Sequence, residues 1–211
     1  TPMTYQTVGE MLAAVENYAT VTMNTISVSR PALPPATIDA LAHTAVFGQQ
    51  PELRGTARWL IRSFSAAAGL VPASIHDLYM AMGRGEAGGF TVPAINLRAM
   101  AYDTGRAVIR AARSLGAGAF ILEIARSEIG YCEQRPHEYS AVMLAAALRE
   151  GFSGPLFIQG DHVQTSAKKF LGSDRDKEID AVRSLIKEEI AAGFYNIDID
   201  TSTLVDLSKP T

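Results

Sequence analysis

Apolar positions in the first third of the chain recur mostly at helical spacing. Val8, Met11, Leu12, Val15 and Ala19 fall on one face of a helix opened by a capping box, Thr7 with Glu10. Residues 20–29 (TVTMNTISVS) alternate β-branched and polar side chains, which predicts a short extended piece stopped by Pro31, Pro34 and Pro35. Leu53, Ala57, Leu60, Ile61, Phe64 and Ala68 predict a long amphipathic helix between Pro51 and Gly69. Ser74 with Asp77 opens a shorter helix that runs to Gly83.

After the glycines at 83, 85, 88 and 89, short apolar runs alternate with longer amphipathic ones. FTVPAI (90–95), AFILEIA (119–125), LFIQ (156–159) and YNIDI (195–199) read as strands. Between them lie helices from about Ala99 to Leu115, with Val108, Ala111, Ala112 and Leu115 inward, and from Pro136 to Arg149, with Met143, Leu144, Ala147 and Leu148 inward. A third helix, capped by Asp174 and closed by Gly193, turns Ile179, Val182, Leu185, Ile186 and Ile190 inward. This alternation, with strands apolar on both faces, predicts an α/β fold whose parallel sheet is covered by helices. Four such units are half of a (β/α)8 TIM barrel, which needs roughly 250 residues. Residues 1–88 are therefore expected to form a helical N-terminal region. Residues 89–211 are expected to form the first four β/α units of a barrel that continues beyond the residues given, the alternative being a small open sheet.

Composition narrows the function classes. The 211 residues are 47% hydrophobic and 19% charged, with a formal charge of −3, inside the ordinary globular range. No basic stripe is present to displace counterions from a phosphate backbone, so nucleic acid is not an expected partner. No run approaches a membrane span and no leader pattern opens the chain, so no membrane partner and a cytoplasmic location are expected. The lone Cys132 fits a reducing compartment and has no neighbouring base to make it a nucleophile.

In parallel α/β folds, chemistry gathers at the C-terminal ends of the strands. There the sequence places Asn96, then Arg126, Ser127 and Glu128, then Asp161 and His162, then Asp198, Asp200, Thr201 and Ser202. An imidazole is a common zinc ligand, and the adjacent Asp161 could pass a proton to a substrate on that metal. Asp198 and Asp200 share one strand face, and metal or proton chemistry competes there with helix capping by Asp200-Thr201-Ser202. Gly83-Arg84-Gly85-Glu86-Ala87-Gly88 matches a dinucleotide fingerprint in the wrong context, with a helix before it and a strand after, and reads as a linker. Lys168 and Lys169, in the loop after His162, could meet a phosphate. His43, His76 and His137 read as structural.

The stretches FTVPAINLRAMAYDTGRAVIRAARSLGAGAFILEIA, GPLFIQGDHVQTSAKKF and AAGFYNIDIDTSTL resemble the first half of the class II, zinc-dependent ketose-bisphosphate aldolases, over about residues 89–205. The P-A-x-N turn, the D-H pair and the G-F-x-x-x-x-I-D-x-S ending carry the likeness. It implies a carbon-carbon lyase that cleaves or forms a fructose- or tagatose-bisphosphate type ketose by zinc-stabilised enediolate chemistry. It further implies His162 and Asp200 at the metal, Asp161 as the proton-exchanging acid, and Asn96 and Ser127 at the substrate. Gln159 stands where the common pattern has a histidine, which brings the chain closer to the accessory subunit of tagatose-bisphosphate aldolase. The other two histidine ligands and the glycine-rich phosphate loops of the family belong to the second half of the barrel, so these residues alone are not expected to form a competent zinc enzyme.

Two functions follow as expectations. One is a metal-dependent aldolase whose cofactor is Zn2+ and whose partner is a phosphorylated ketose, in a homo-oligomer. The other is a non-catalytic aldolase-like subunit that stabilises a catalytic partner.

Overall fold

A computed structural model describes residues 3–23, 25–206 and 208. Helix α1 (Val8–Val15) leads into a hairpin of β1 (Ala19–Thr22) and β2 (Thr25–Val28), then α2 (Pro35–Phe47) and α3 (Pro51–Ala67). Strand β3 (Leu70–Ala73) and α4 (His76–Gly83) precede β4 (Ala94–Asn96), α5 (Ala101–Ser114), β5 (Ile121–Ala125), α6 (Arg126–Tyr131) and α7 (Pro136–Arg149). Strand β6 (Gly154–Asp161), α8 (Ala167–Phe170), α9 (Arg175–Ala192), β7 (Asn196–Ile197) and a 3-10 turn (Ser202–Leu204) complete the order.

The helix starts follow the sequence signals. Glu10 N–H donates to Thr7 Oγ1 at 3.1 Å, and Pro35, Pro51 and Pro136 each occupy a first helical position, where the missing N–H is no loss. Gly193 ends α9 at φ 91°, a conformation that costs a side-chain-bearing residue energy.

The sheet is mixed with helices and wholly parallel. Strands β4, β5, β6 and β7 are neighbours in chain order, and β3 also joins β6. Both β3 and β7 lie on one edge of β6, end to end: Leu70–Ala73 pair with Gly154–Phe157, and Asn196–Ile197 with Gln159–Gly160. The N-terminal region is thus more than helices. It supplies the β1–β2 hairpin, at the extended piece the alternation predicts, and an edge strand, LVPA, that the pattern does not reveal.

The two sheet faces differ. Leu122, Ile124, Leu156 and Ile158 pack with the helices in the main core, each such side chain contributing about 2 kcal/mol on burial. Helix α7 sits in the middle of that layer, packed against α2, α3, α5 and α9, and every residue from Ser140 to Ala147 is buried. A one-sided stripe of Met143, Leu144, Ala147 and Leu148 is therefore too narrow: small residues all round let neighbours approach on every side. The opposite face is not apolar throughout, as the strand pattern suggests. Ile121 and Phe157 form a small cluster there with Ile75, but one step along, Asn96, Glu123, Gln159 and Asn196 stand in register across four strands.

Helix α9 also departs from its expected face. Glu178, Val182, Leu185, Glu189 and Ala192 are buried, whereas Ile190 is 51% exposed. Packing has rotated the stripe to carry two acids. Glu178 is ion-paired with Arg126, but among the described residues Glu189 accepts no hydrogen bond. Its carboxylate fills the space at Gly160, where a Cβ would lie 2.7 Å from both oxygens, and burial pushes its pKa up to about 7.

Candidate functional site

The polar row is the floor of a rim at the C-terminal strand ends. Gln159 donates from Nε2 to Glu123 Oε2 at 2.7 Å. Asn196 donates to the Ala73 and Ile158 carbonyls and accepts from the Ile75 N–H at 2.8 Å, tying β3, β6 and β7 together. Asn96 Nδ2 donates to Glu128 Oε2 at 2.7 Å, and Glu128 also accepts from the Ala125 N–H and pairs with Arg98. Burial, and next the Asp161 charge, raise the Glu123 pKa.

Above this floor the parallel ladder is bulged. Asp198 N–H donates to Gly160 O, yet Asp198 O accepts from Val163 N–H, so Asp161 and His162 together face one residue of the neighbouring chain segment. Regular pairing resumes with Asp200, which donates to Val163 O and accepts from Thr165 N–H. His162 absorbs the extra length at φ 42°, a left-handed conformation that costs on the order of 1 kcal/mol for a non-glycine residue. Bulges of this kind re-aim side chains, and here the normal alternation that would separate Asp161 from His162 is lost.

The result is an imidazole among three carboxylates. His162 Nδ1 lies 3.0 Å from Asp200 Oδ2 and 3.9 Å from Asp198 Oδ2, and Nε2 lies 3.8 Å from Asp161 Oδ1. Asp200 is itself fixed by Ser202 N–H at 2.8 Å and Gln164 Nε2 at 2.7 Å. The bond from Asp200, then the Asp161 charge, raise the His162 pKa. Burial raises that of Asp161, while hydrogen bonds from Ser202, then His162, hold Asp200 well below the usual range.

The donor atoms of Asp161, His162 and Asp198 all lie within 4.8 Å of one another. One imidazole and two carboxylates suit a divalent cation such as Zn2+ or Mn2+. Asp200 bonds the ring at Nδ1, and Nε2 is the nitrogen on the side of Asp161; an outer carboxylate at one ring nitrogen is the arrangement that orients metal-binding histidines. Asp200, expected at the metal, is the carboxylate nearest the imidazole, and Asp198 is the aspartate of this segment whose oxygen joins the cluster with Asp161 and His162.

Of the remaining expected residues, Asn96 lies on the floor beneath the rim, bonded to Glu128. Ser127, in the first turn of α6, lines a separate pocket that shares His162. The sequence reading overlooks Glu123 and Asn196. Glu123 has a visible signal, an acid inside an otherwise apolar strand, whereas Asn196 acts through backbone groups distant in the chain. Among the described residues no helix is long and apolar enough to cross a membrane. Compared with known proteins, the chain matches no family model, no curated protein and no solved structure.

Proposed function

We propose that the rim binds a divalent cation and that the protein performs metal-dependent aldol cleavage or formation of a ketose bisphosphate. The convergence of Asp161, His162 and Asp198 at the C-terminal ends of adjacent parallel strands carries this reading. The sequential order β4, β5, β6, β7, with each crossover stepping one strand in the same direction, supports a TIM-barrel wall over an open doubly wound sheet.

His162 and Asp198 would hold the cation, with Asp161 at its edge. When bound, it supplies Lewis acidity that polarises the carbonyl of a hydroxy-ketone. Asp200 keeps the proton on Nδ1 and fixes the ring. Asp161, the third member of the cluster and only 17% exposed at its side chain, exchanges a proton with the hydroxyl at the cleaved bond. Asn96, on β4 with β5 between it and β6, orients the substrate.

A non-catalytic subunit is the second reading, favoured by one observation. Gln159 occupies a strand-end position facing the rim and is spent on a hydrogen bond to Glu123.

Metal content after dialysis against Zn2+, together with triose release from a ketose bisphosphate by the native protein, separates the two. One retained ion per chain and chelator-sensitive cleavage are expected. Asp161→Asn should keep the ion and lose turnover, and His162→Ala should lose both. An ion-free protein that cleaves nothing yet raises the thermal stability of an aldolase partner would replace the first reading by the second.

A further inference from the structure

A pocket of about 250 Å³ lies in the helix layer, between α2, the first turn of α5 and the loop that leads into α7. It shares no lining residue with the rim. We propose that it is a binding site for one small neutral phenol, independent of the cation.

The walls set the size and polarity of the ligand. Ala42 and Val46 of α2, Ala101 of α5 and Val142 of α7 supply small apolar side chains. An apolar cavity of about 150 Å³ admits benzene, so this volume suits one ring with small substituents. Asp103 is the only acid among the lining residues, and it is 59% exposed and paired with Arg106 at 3.5 Å. No lysine or arginine lines the pocket among the described residues, so an anion finds no partner there.

The mouth favours an aromatic ring. Phe47 is 64% and Met100 76% exposed, two large apolar side chains at one opening. Met100 is an unfavourable N-cap for α5, since it sits at φ 49° and makes no side-chain capping bond. A left-handed backbone, an exposed apolar group and a missing cap at one residue mark a position held for its side chain. A thioether and a second ring at the mouth make favourable contacts with an aromatic guest.

The polar end selects the hydroxyl. Among the described residues His43 Nδ1 and Gln134 Oε1 are buried without a hydrogen-bond partner, and both side chains line this pocket. Tyr102 is already spent: its hydroxyl donates to Asp39 at 2.6 Å, and its ring meets His43 edge-on. The Gln134 side chain also hydrogen-bonds the Glu138 carboxylate. A carboxylate accepts, so the amide nitrogen is engaged there and Oε1 is the free, accepting end. A neutral imidazole can carry its proton on Nδ1 and donate it. One hydroxyl meets both needs, donating to Gln134 and accepting from His43. As placed, neither atom is open to water, so the two side chains turn towards the hydroxyl as it enters.

The test is isothermal titration of the full chain with p-cresol, compared with toluene, which lacks the hydroxyl, and 4-methylanisole, which lacks only its hydrogen. One saturable site per chain is expected, with both analogues bound at least about tenfold more weakly. His43→Phe keeps the ring and removes Nδ1; it should hold Tm, weaken p-cresol about tenfold and leave toluene unchanged. Met100→Gly relieves the left-handed backbone; it should hold or raise Tm while weakening p-cresol about threefold. No saturation by about 5 mM, equal affinity for p-cresol and either analogue, or unchanged p-cresol affinity in either folded variant would each overturn the proposal. Should a variant lose Tm, the three ligands on the wild type decide alone. Neither result touches Zn2+ retention by His162 and Asp198, and loss of the ion leaves the titration untouched.

Discussion

Glu189→Gln should remove a specific part of the pH dependence of stability. In the folded chain Glu189 is fully buried against Gly160, without a hydrogen-bond partner among the described residues, and its pKa is raised from 4.5 to about 7 by burial, then by Glu188, with Arg135 opposing. A raised carboxyl pKa means that the folded state binds the proton more tightly than the unfolded state. Stability from this group is therefore complete below about pH 4.5 and is lost progressively as pH rises to about 7. At about 1.4 kcal/mol for each tenfold difference in proton affinity, the full loss is about 3 kcal/mol. Urea unfolding of wild type and Glu189→Gln at pH 5 and pH 8 isolates it, because other titrating groups cancel in the difference. The wild type should lose about 2 to 3 kcal/mol more than the variant over that interval. Equal losses in the two proteins would refute the argument, showing that the carboxyl reaches water or a partner.

Two further perturbations probe the same architecture. Gly160→Ala forces a methyl group against the Glu189 oxygens and should cost about 2 kcal/mol, most of it recovered in a Glu189→Ala background; a cost independent of residue 189, read from urea midpoints in a double-mutant cycle, would contradict the contact. Asn196→Ala strips partners from the Ile75 N–H and from the Ala73 and Ile158 carbonyls, and should destabilise by about 2 kcal/mol; a change below about 0.5 kcal/mol would mean that water replaces the amide.

Much of the fold is legible in the sequence because burial is periodic there. Leu53, Leu60, Ile61 and Phe64 mark α3, and Ile121–Ala125, buried throughout, marks a strand covered on both faces. Strand β3 hides because it is four residues long and contains Pro72, which an edge position on β6 tolerates. The tilt of α9 hides because Glu178 and Glu189 read as solvent-facing, and only tertiary packing turns them inward. For the site, strand-end logic locates Asp161, His162, Asp198 and Asp200. It cannot assign their roles, since these depend on a bulge whose only local trace is the left-handed backbone of His162.

That bulge has a dynamic consequence. Past the formal end of β7, the amides of Asp198, Val163, Asp200 and Thr165 hydrogen-bond alternately between the two chain segments that carry the rim. Neither segment can swing away alone, because lifting one breaks the ribbon that also orders the other. Amide hydrogen exchange at these four positions should therefore proceed at a common rate, through one shared opening that presents all four acidic and imidazole side chains to solvent together.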